Sequence, residues 1–159
     1  MAPCLFTLGY QKRSLEEYVK ALLAERIQVL VDVREIAWSR KPGFSKTALQ
    51  QRLQLVGIEY VHARCVGNPK AIRARALTHA DCLAGYQEHL AANEELLIEF
   101  EALMLGWLVA GLRVCLLCYE RHPDDCHRSI LLNVWADRHG HPIAIRHLGP
   151  EGAPRLTEC

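Results

Sequence analysis

The sequence predicts a single α/β domain: a mainly parallel sheet of five strands with helices on both faces. Three observations carry this. Short apolar, β-prone runs alternate with longer stretches of helical spacing in the order β-α-β-α-β-α-α-β-α-β, the pattern of crossover connections. The runs are apolar at successive positions, as strands buried on both faces are. The chain is 159 residues long and shows no internal repeat, low-complexity tract or linker, so it suits one core. Residues 1–148 are expected to form the domain and 149–159 an irregular tail, because GPEGAPRLTEC has turn-forming composition.

Each element has its own signal. Cys4 to Leu8 is a short apolar strand that stops at Gly9. Ser14 and Glu17 form an S-x-x-E capping box, followed by Tyr18, Leu22 and Leu23 at helical spacing. Gln28 to Val33 is the second strand, and residues 35–46 a polar loop holding Pro42 and Gly43. A helix over Thr47–Val56 ends at Gly57, and Ile58 to His62 is the third strand. Residues 66–75 read as a loop. Helices follow over about Ala80–Leu90 and Asn93–Ala110, the second closed by Gly111. Arg113 to Tyr119 is the fourth strand, His127 to Arg138 a helix ended by Gly140, and Pro142 to Arg146 the fifth strand. Trp107 and Trp135 sit at helical apolar spacing and belong to the core.

Composition narrows the function. With 19 basic and 18 acidic residues the net charge is +1. No broad basic face is available for nucleic acid. Fourteen of the basic residues are Arg and five are Lys, and Arg is the better bidentate partner for phosphate. The seven cysteines are odd in number and no secretory signal precedes them, which points to free thiols in a reduced cytoplasm. Leu96 to Leu112 is too short and too charged to span a bilayer, so no membrane partner is expected. The sequence leaves the oligomeric state open.

In parallel sheets ligands bind beyond the carboxyl ends of the strands, so the polar residues there are the candidates. Arg13, Arg34, Arg40, Lys46 and Arg128 would lie along one rim and clamp an anion. Tyr10, Phe44 and Tyr60 are flanked by polar residues and could stack on a base or sugar, or pack the rim. Asp32 reads as a strand-end carboxylate that orients a neighbouring Arg.

The segments L-G-Y-x-x-R-S-L-E-E (Leu8–Glu17), L-V-D-V-R (Leu30–Arg34), W-S-R-K-P-G-F-S-K (Trp38–Lys46), G-I-E-Y-V-H (Gly57–His62), G-N-P-K (Gly67–Lys70) and L-L-C-Y-E-R-x-P-x-x-C-H-R-S (Leu116–Ser129) occur in this order. Together they resemble the DUF488 family, small bacterial proteins of unassigned activity. The resemblance runs from about residue 6 to 147. It implies a Rossmann-like three-layer fold and brings no established catalytic residues. Two positions depart from the pattern: Ala37 stands where a proline is expected, and Cys65 where another residue is usual.

The densest group follows the fourth strand. Cys126 would sit at a helix start, where unpaired backbone N–H groups favour a thiolate and, with Arg128, an oxyanion. His127 is placed to position a ligand or lower the thiol pKa. Glu120 leaves a buried strand end and is the general acid/base candidate; Cys118 is either a third reactive group or a buried strand cysteine. Cys118 and Arg128 are ten residues apart, too far for the phosphatase C-x5-R loop, although the strand, Cys-led loop and Arg-bearing helix resemble rhodanese topology. A third reading is a zinc site of Cys118, Cys126 and His127, with Glu120, but C-x7-C-H is unlike the paired knuckles of structural zinc. No metal and no cofactor is therefore assigned.

The expectation is an enzyme acting on a phosphate-bearing small molecule, nucleotide or nucleic-acid base. Its partner would be that anionic molecule, or nucleic acid met through something narrower than a basic face. The alternatives are a non-catalytic nucleotide or nucleic-acid binding module and a rhodanese-like sulfur carrier.

Overall fold

A computed structural model describes residues 4–140 and 143–149. Five strands form one sheet: β1 (Cys4–Gly9), β2 (Val29–Asp32), β3 (Glu59–His62), β4 (Val114–Cys118) and β5 (Ala144–Leu148). Their order is β3-β2-β4-β1-β5, and every pairing is parallel. The helices are α1 (Leu15–Ala24), α2 (Lys46–Gln54), α3 (Lys70–Arg75), α4 (His79–Ala92), α5 (Glu94–Val109) and α6 (His127–His139). The three-layer α/β expectation holds, and the sheet is wholly rather than mainly parallel.

Side-chain alternation along the strands divides the interior into two cores. Val31, Leu116 and Cys118 face one side with Tyr86 of α4, Phe100 of α5 and Trp135 of α6. Phe6, Leu30 and Leu117 face the other with Tyr18 of α1 and Leu49 of α2. β1 and β2 thus lead into helices on one face, while β4, lying between them, leads into α6 on the opposite face. Chains that leave neighbouring strands in opposite directions open a crevice at the strand ends. The carboxyl end of β4 sits in it.

Local signals explain most boundaries. Ser14 caps α1 through the expected box, its hydroxyl accepting from Glu17 N while Glu17 accepts from Ser14 N. Gly57 and Gly111 have φ of 75° and 73°, the left-handed turn that ends a helix at little cost for glycine. One segment differs: residues 66–75 are not a plain loop. A 3-10 turn (Arg64–Val66) and α3 occupy it. Pro69 at the entry of α3 presets a helical φ, and buried Ile72 docks the short helix. Trp135 is in the core and Trp107 is half-buried against it. No helix among the described residues is long and apolar enough to cross a membrane. Pro142, the expected start of the fifth strand, and the tail beyond Gly149 lie outside the described residues.

Candidate functional site

Four donor-bearing side chains meet where β4 ends and α6 begins. Cys118 is the last residue of β4 and faces the α6 side. Its Sγ lies 3.0 Å from Glu120 Oε2 and 3.3 Å from His127 Nδ1. A short turn, Pro123–Asp125, then carries the chain back to Cys126, which caps α6 by accepting from Arg128 N at 3.5 Å. Cys126 Sγ stands 3.9 Å from the same His127 Nδ1. One ligand atom from each of Cys118, Glu120, Cys126 and His127 lies within 4.8 Å of all the others.

The imidazole orientation follows from its other nitrogen. His127 Nε2 is 2.9 Å from the Val33 carbonyl, which can only accept, so Nε2 carries the hydrogen and Nδ1 presents a lone pair to the sulfurs. Burial pushes the His127 pKa down, against the pull of the Val33 carbonyl, and holds the ring neutral. The Tyr86 ring braces it edge-on at 5.2 Å.

Cys118 and Cys126 meet as a disulfide pair, so the expectation of free thiols is corrected at this point. Cys65, Cys82 and Cys115 are free. The paired Cα atoms are 7.3 Å apart, wider than the roughly 4.4–6.8 Å of most disulfides.

The cluster closes one end of a cavity of about 670 Å³, within the size range of small-molecule sites. Cys118, Glu120 and His127 line it; Cys126 is buried and does not. The cavity therefore meets Cys118 rather than Cys126, the thiol that position at the helix start had favoured as the reactive one. Strand alternation carried the signal, since Val114, Leu116 and Cys118 share the face that α6 covers.

The five expected cations are not assembled at this cavity. Only Arg34 lines it. Asp32 accepts from Arg34 Nε at 2.8 Å and from Nη2 at 2.6 Å, and Arg34 Nη1 donates to Tyr10 OH at 3.1 Å. Burial opposes the cation, but the Asp32 bonds and charge outweigh it and raise the Arg34 pKa. Asp32 thus orients its Arg as expected, and Tyr60 OH adds a 2.5 Å bond to the same carboxylate. Of the five guanidinium N–H groups, two remain without an acceptor among the described residues.

Arg128 is part of the core instead of the rim. It is fully buried and donates to Thr7 Oγ1 at 3.1 Å, the Glu120 carbonyl at 2.7 Å and the Arg121 carbonyl at 3.5 Å. Its three bonds tie the turn after β4 to β1 and α6. Arg40 and Lys46 are exposed away from the cavity, and half-buried Arg13 lies near Arg121. Tyr10 and Phe44 stack on each other inside the second core, with ring centroids 4.4 Å apart, and Tyr60 is buried beside Asp32. All three rings are core residues; Tyr10 also lines the cavity, and Phe44 and Tyr60 do not.

Beside Arg34 and buried Tyr10, the aromatic and cationic surface that faces the cavity comes from Trp38, 63% exposed, Tyr119, 47% exposed, and Arg73 of α3. Arg73 Nη2 bonds Glu35 at 2.9 Å and its Nε the Asn68 carbonyl at 3.1 Å. Trp38 and Tyr119 lie within the W-S-R-K-P-G-F-S-K and L-L-C-Y-E-R segments, and exposure is what distinguishes them. Arg73 belongs to α3, in the segment whose composition predicts a loop.

Gly9 explains how tightly β1 closes on this site. A Cβ there would stand 1.8 Å from the Glu120 carbonyl oxygen. Gly9→Ala must displace the backbone that carries Glu120, at an expected cost of about 1–3 kcal/mol. A urea titration checks this: the midpoint falls, whereas an unchanged midpoint contradicts the contact.

The comparison with known proteins is decided by one match. The family model described as "Domain of unknown function DUF488" matches residues 14–135. The chain belongs to the DUF488 family. No curated protein and no solved structure matches it. The match runs from the Ser14 cap of α1 to Trp135 in α6, so Asp32, Arg34 and the whole Cys118–His127 group lie inside the DUF488 region.

Proposed function

We propose that this DUF488 protein is an enzyme acting on a nucleotide, or on a base within nucleic acid, held in the cavity at the end of β4. One observation carries the reading: Cys118, Glu120 and His127 line the same cavity as Arg34, Arg73, Trp38 and Tyr119. A phosphate group suits the two unspent N–H groups of Arg34, which Asp32 holds in a fixed orientation. A flat base suits the exposed rings of Trp38 and Tyr119. Glu120 is the acid/base group, since it is half-buried and stands beside both the cavity and the Cys118 sulfur. A binder would need the cations and rings but not the sulfur, carboxylate and imidazole grouped beside them.

The reading is tested with nucleoside monophosphates and short oligonucleotides. Binding is followed by Tyr119-side and Trp38 fluorescence, and conversion by mass spectrometry of the recovered ligand. Trp38→Ala is expected to weaken binding roughly 5- to 150-fold, the equivalent of about 1–3 kcal/mol for one stacked base. Arg34→Lys, which leaves Asp32 a cation but removes the two free guanidinium N–H groups, should weaken nucleotides and leave the corresponding nucleosides almost unaffected. If no ligand binds, or both variants bind like the parent, the cavity is not this substrate site.

A further inference from the structure

We propose that the reduced Cys118–Cys126 pair, with His127 Nδ1, binds a zinc ion, leaving its fourth position open to the cavity beside Glu120. The inference starts from four electron-pair donors that converge on one point. Two sulfurs, a carboxylate oxygen and an imidazole lone pair all lie within 4.8 Å of one another. A disulfide uses the sulfurs alone. It has no proton to give the Glu120 oxygen 3.0 Å away or the Nδ1 lone pair 3.3 Å away. Two thiolates and a neutral imidazole are the donor set zinc prefers.

The His127 ring gives a second, independent indication. It is about nine-tenths buried, and its Nε2–H donates to the Val33 carbonyl at 2.9 Å. Metal-bound histidines are oriented in this way, one nitrogen held by a backbone carbonyl and the other aimed at the metal. Tyr86 packs edge-on against the same ring. The C-x7-C-H spacing argues only against a knuckle, in which one tight turn supplies both cysteines. Here Cys118 ends a strand and Cys126 caps a helix, and the Pro123–Asp125 turn between them brings their sulfurs together.

Cys118, Glu120 and His127 line the cavity and Cys126 is buried, so the cavity side is where a fourth ligand would enter. An open position distinguishes catalytic from structural zinc. Taken with the proposed substrate site, on which this step rests, the metal implies a hydrolysis. Zinc-bound water gives a proton to Glu120 and its oxygen to an electrophilic carbon or phosphorus of the substrate. The bond to the departing group breaks, and that group takes the proton from Glu120, so substrate and water are the only reactants.

The experiment uses the full chain. It is reduced with a phosphine, given zinc in excess, freed of unbound metal by gel filtration and analysed for zinc and protein in the same fractions. The expected result is about one zinc per chain. Cobalt in its place should give thiolate-to-metal charge-transfer absorption. Glu120→Gln should keep the zinc, and Cys126→Ser, whose hydroxyl can still cap α6, should lower zinc affinity at least about tenfold. Less than about a tenth of an equivalent in folded, reduced protein overturns the proposal, as does cobalt binding without charge-transfer absorption. Undiminished zinc affinity in Cys126→Ser also overturns it; if that variant does not fold, the cobalt spectrum of the parent decides. Zinc absent with nucleotide turnover intact removes the metal alone, and zinc bound with no nucleotide binding removes the substrate reading alone.

Discussion

Replacing Asp32 with alanine is expected to destabilise the protein by about 3–5 kcal/mol, the range for leaving one partner of a buried ion pair alone. Asp32 is fully buried at the end of β2, and its carboxylate accepts two bonds from the Arg34 side chain, one from Arg34 N and one from Tyr60 OH. Alanine leaves a guanidinium in the interior with only Tyr10 OH as its side-chain partner. The cation must then stay desolvated or swing into the cavity, carrying the polypeptide around it. Guanidinium titration measures the loss, and a change below about 1 kcal/mol would mean that Arg34 finds water or another acceptor at little cost. Tyr60→Phe gives the companion value. It removes one neutral donor to the same carboxylate and should cost about 1–3 kcal/mol.

Glu120→Gln is expected to lower turnover about 10²- to 10⁴-fold with ligand binding and thermal stability nearly unchanged. The substitution preserves shape and removes the proton-accepting carboxylate. The Arg128 strut holds the Glu120 backbone carbonyl, not its side chain, and the carboxylate acts on buried Arg128 only through space, so most of that anchoring survives the substitution. Equal turnover in the two proteins would move the acid/base role to another group. A fall in stability instead of turnover would make Glu120 a structural residue.

These effects fall on residues of unequal legibility. The strands and helices could be read because burial on both faces leaves continuous apolar runs such as QVLVDV, and because Ser14 and the helix-ending glycines act within a few residues of themselves. That β4 would end in a cluster of candidate groups was legible for the same reason, since parallel strands place function at their carboxyl ends. The direction of individual side chains was not. Arg128 looks like a rim cation beside His127, yet its chain runs inward to Thr7 and two carbonyls. Tyr10 and Phe44 have polar neighbours in sequence but stack on each other in the core. Local sequence does not say which way such a side chain turns; the packing of α1 and α2 over the sheet does. The convergence of Cys118 with Cys126 depends on the turn between them, and spacing alone cannot report it.

The most direct measurement is a crystal structure of the reduced protein soaked with the nucleotide it binds best. The ligand is expected in the cavity, its base against Trp38 and Tyr119, its phosphate on the free N–H groups of Arg34, and its reacting atom beside Glu120 and Cys118. Ligand bound on another face at saturating concentration, or a phosphate carried by Arg40 and Lys46 instead, would contradict the assignment of this cavity as the active site.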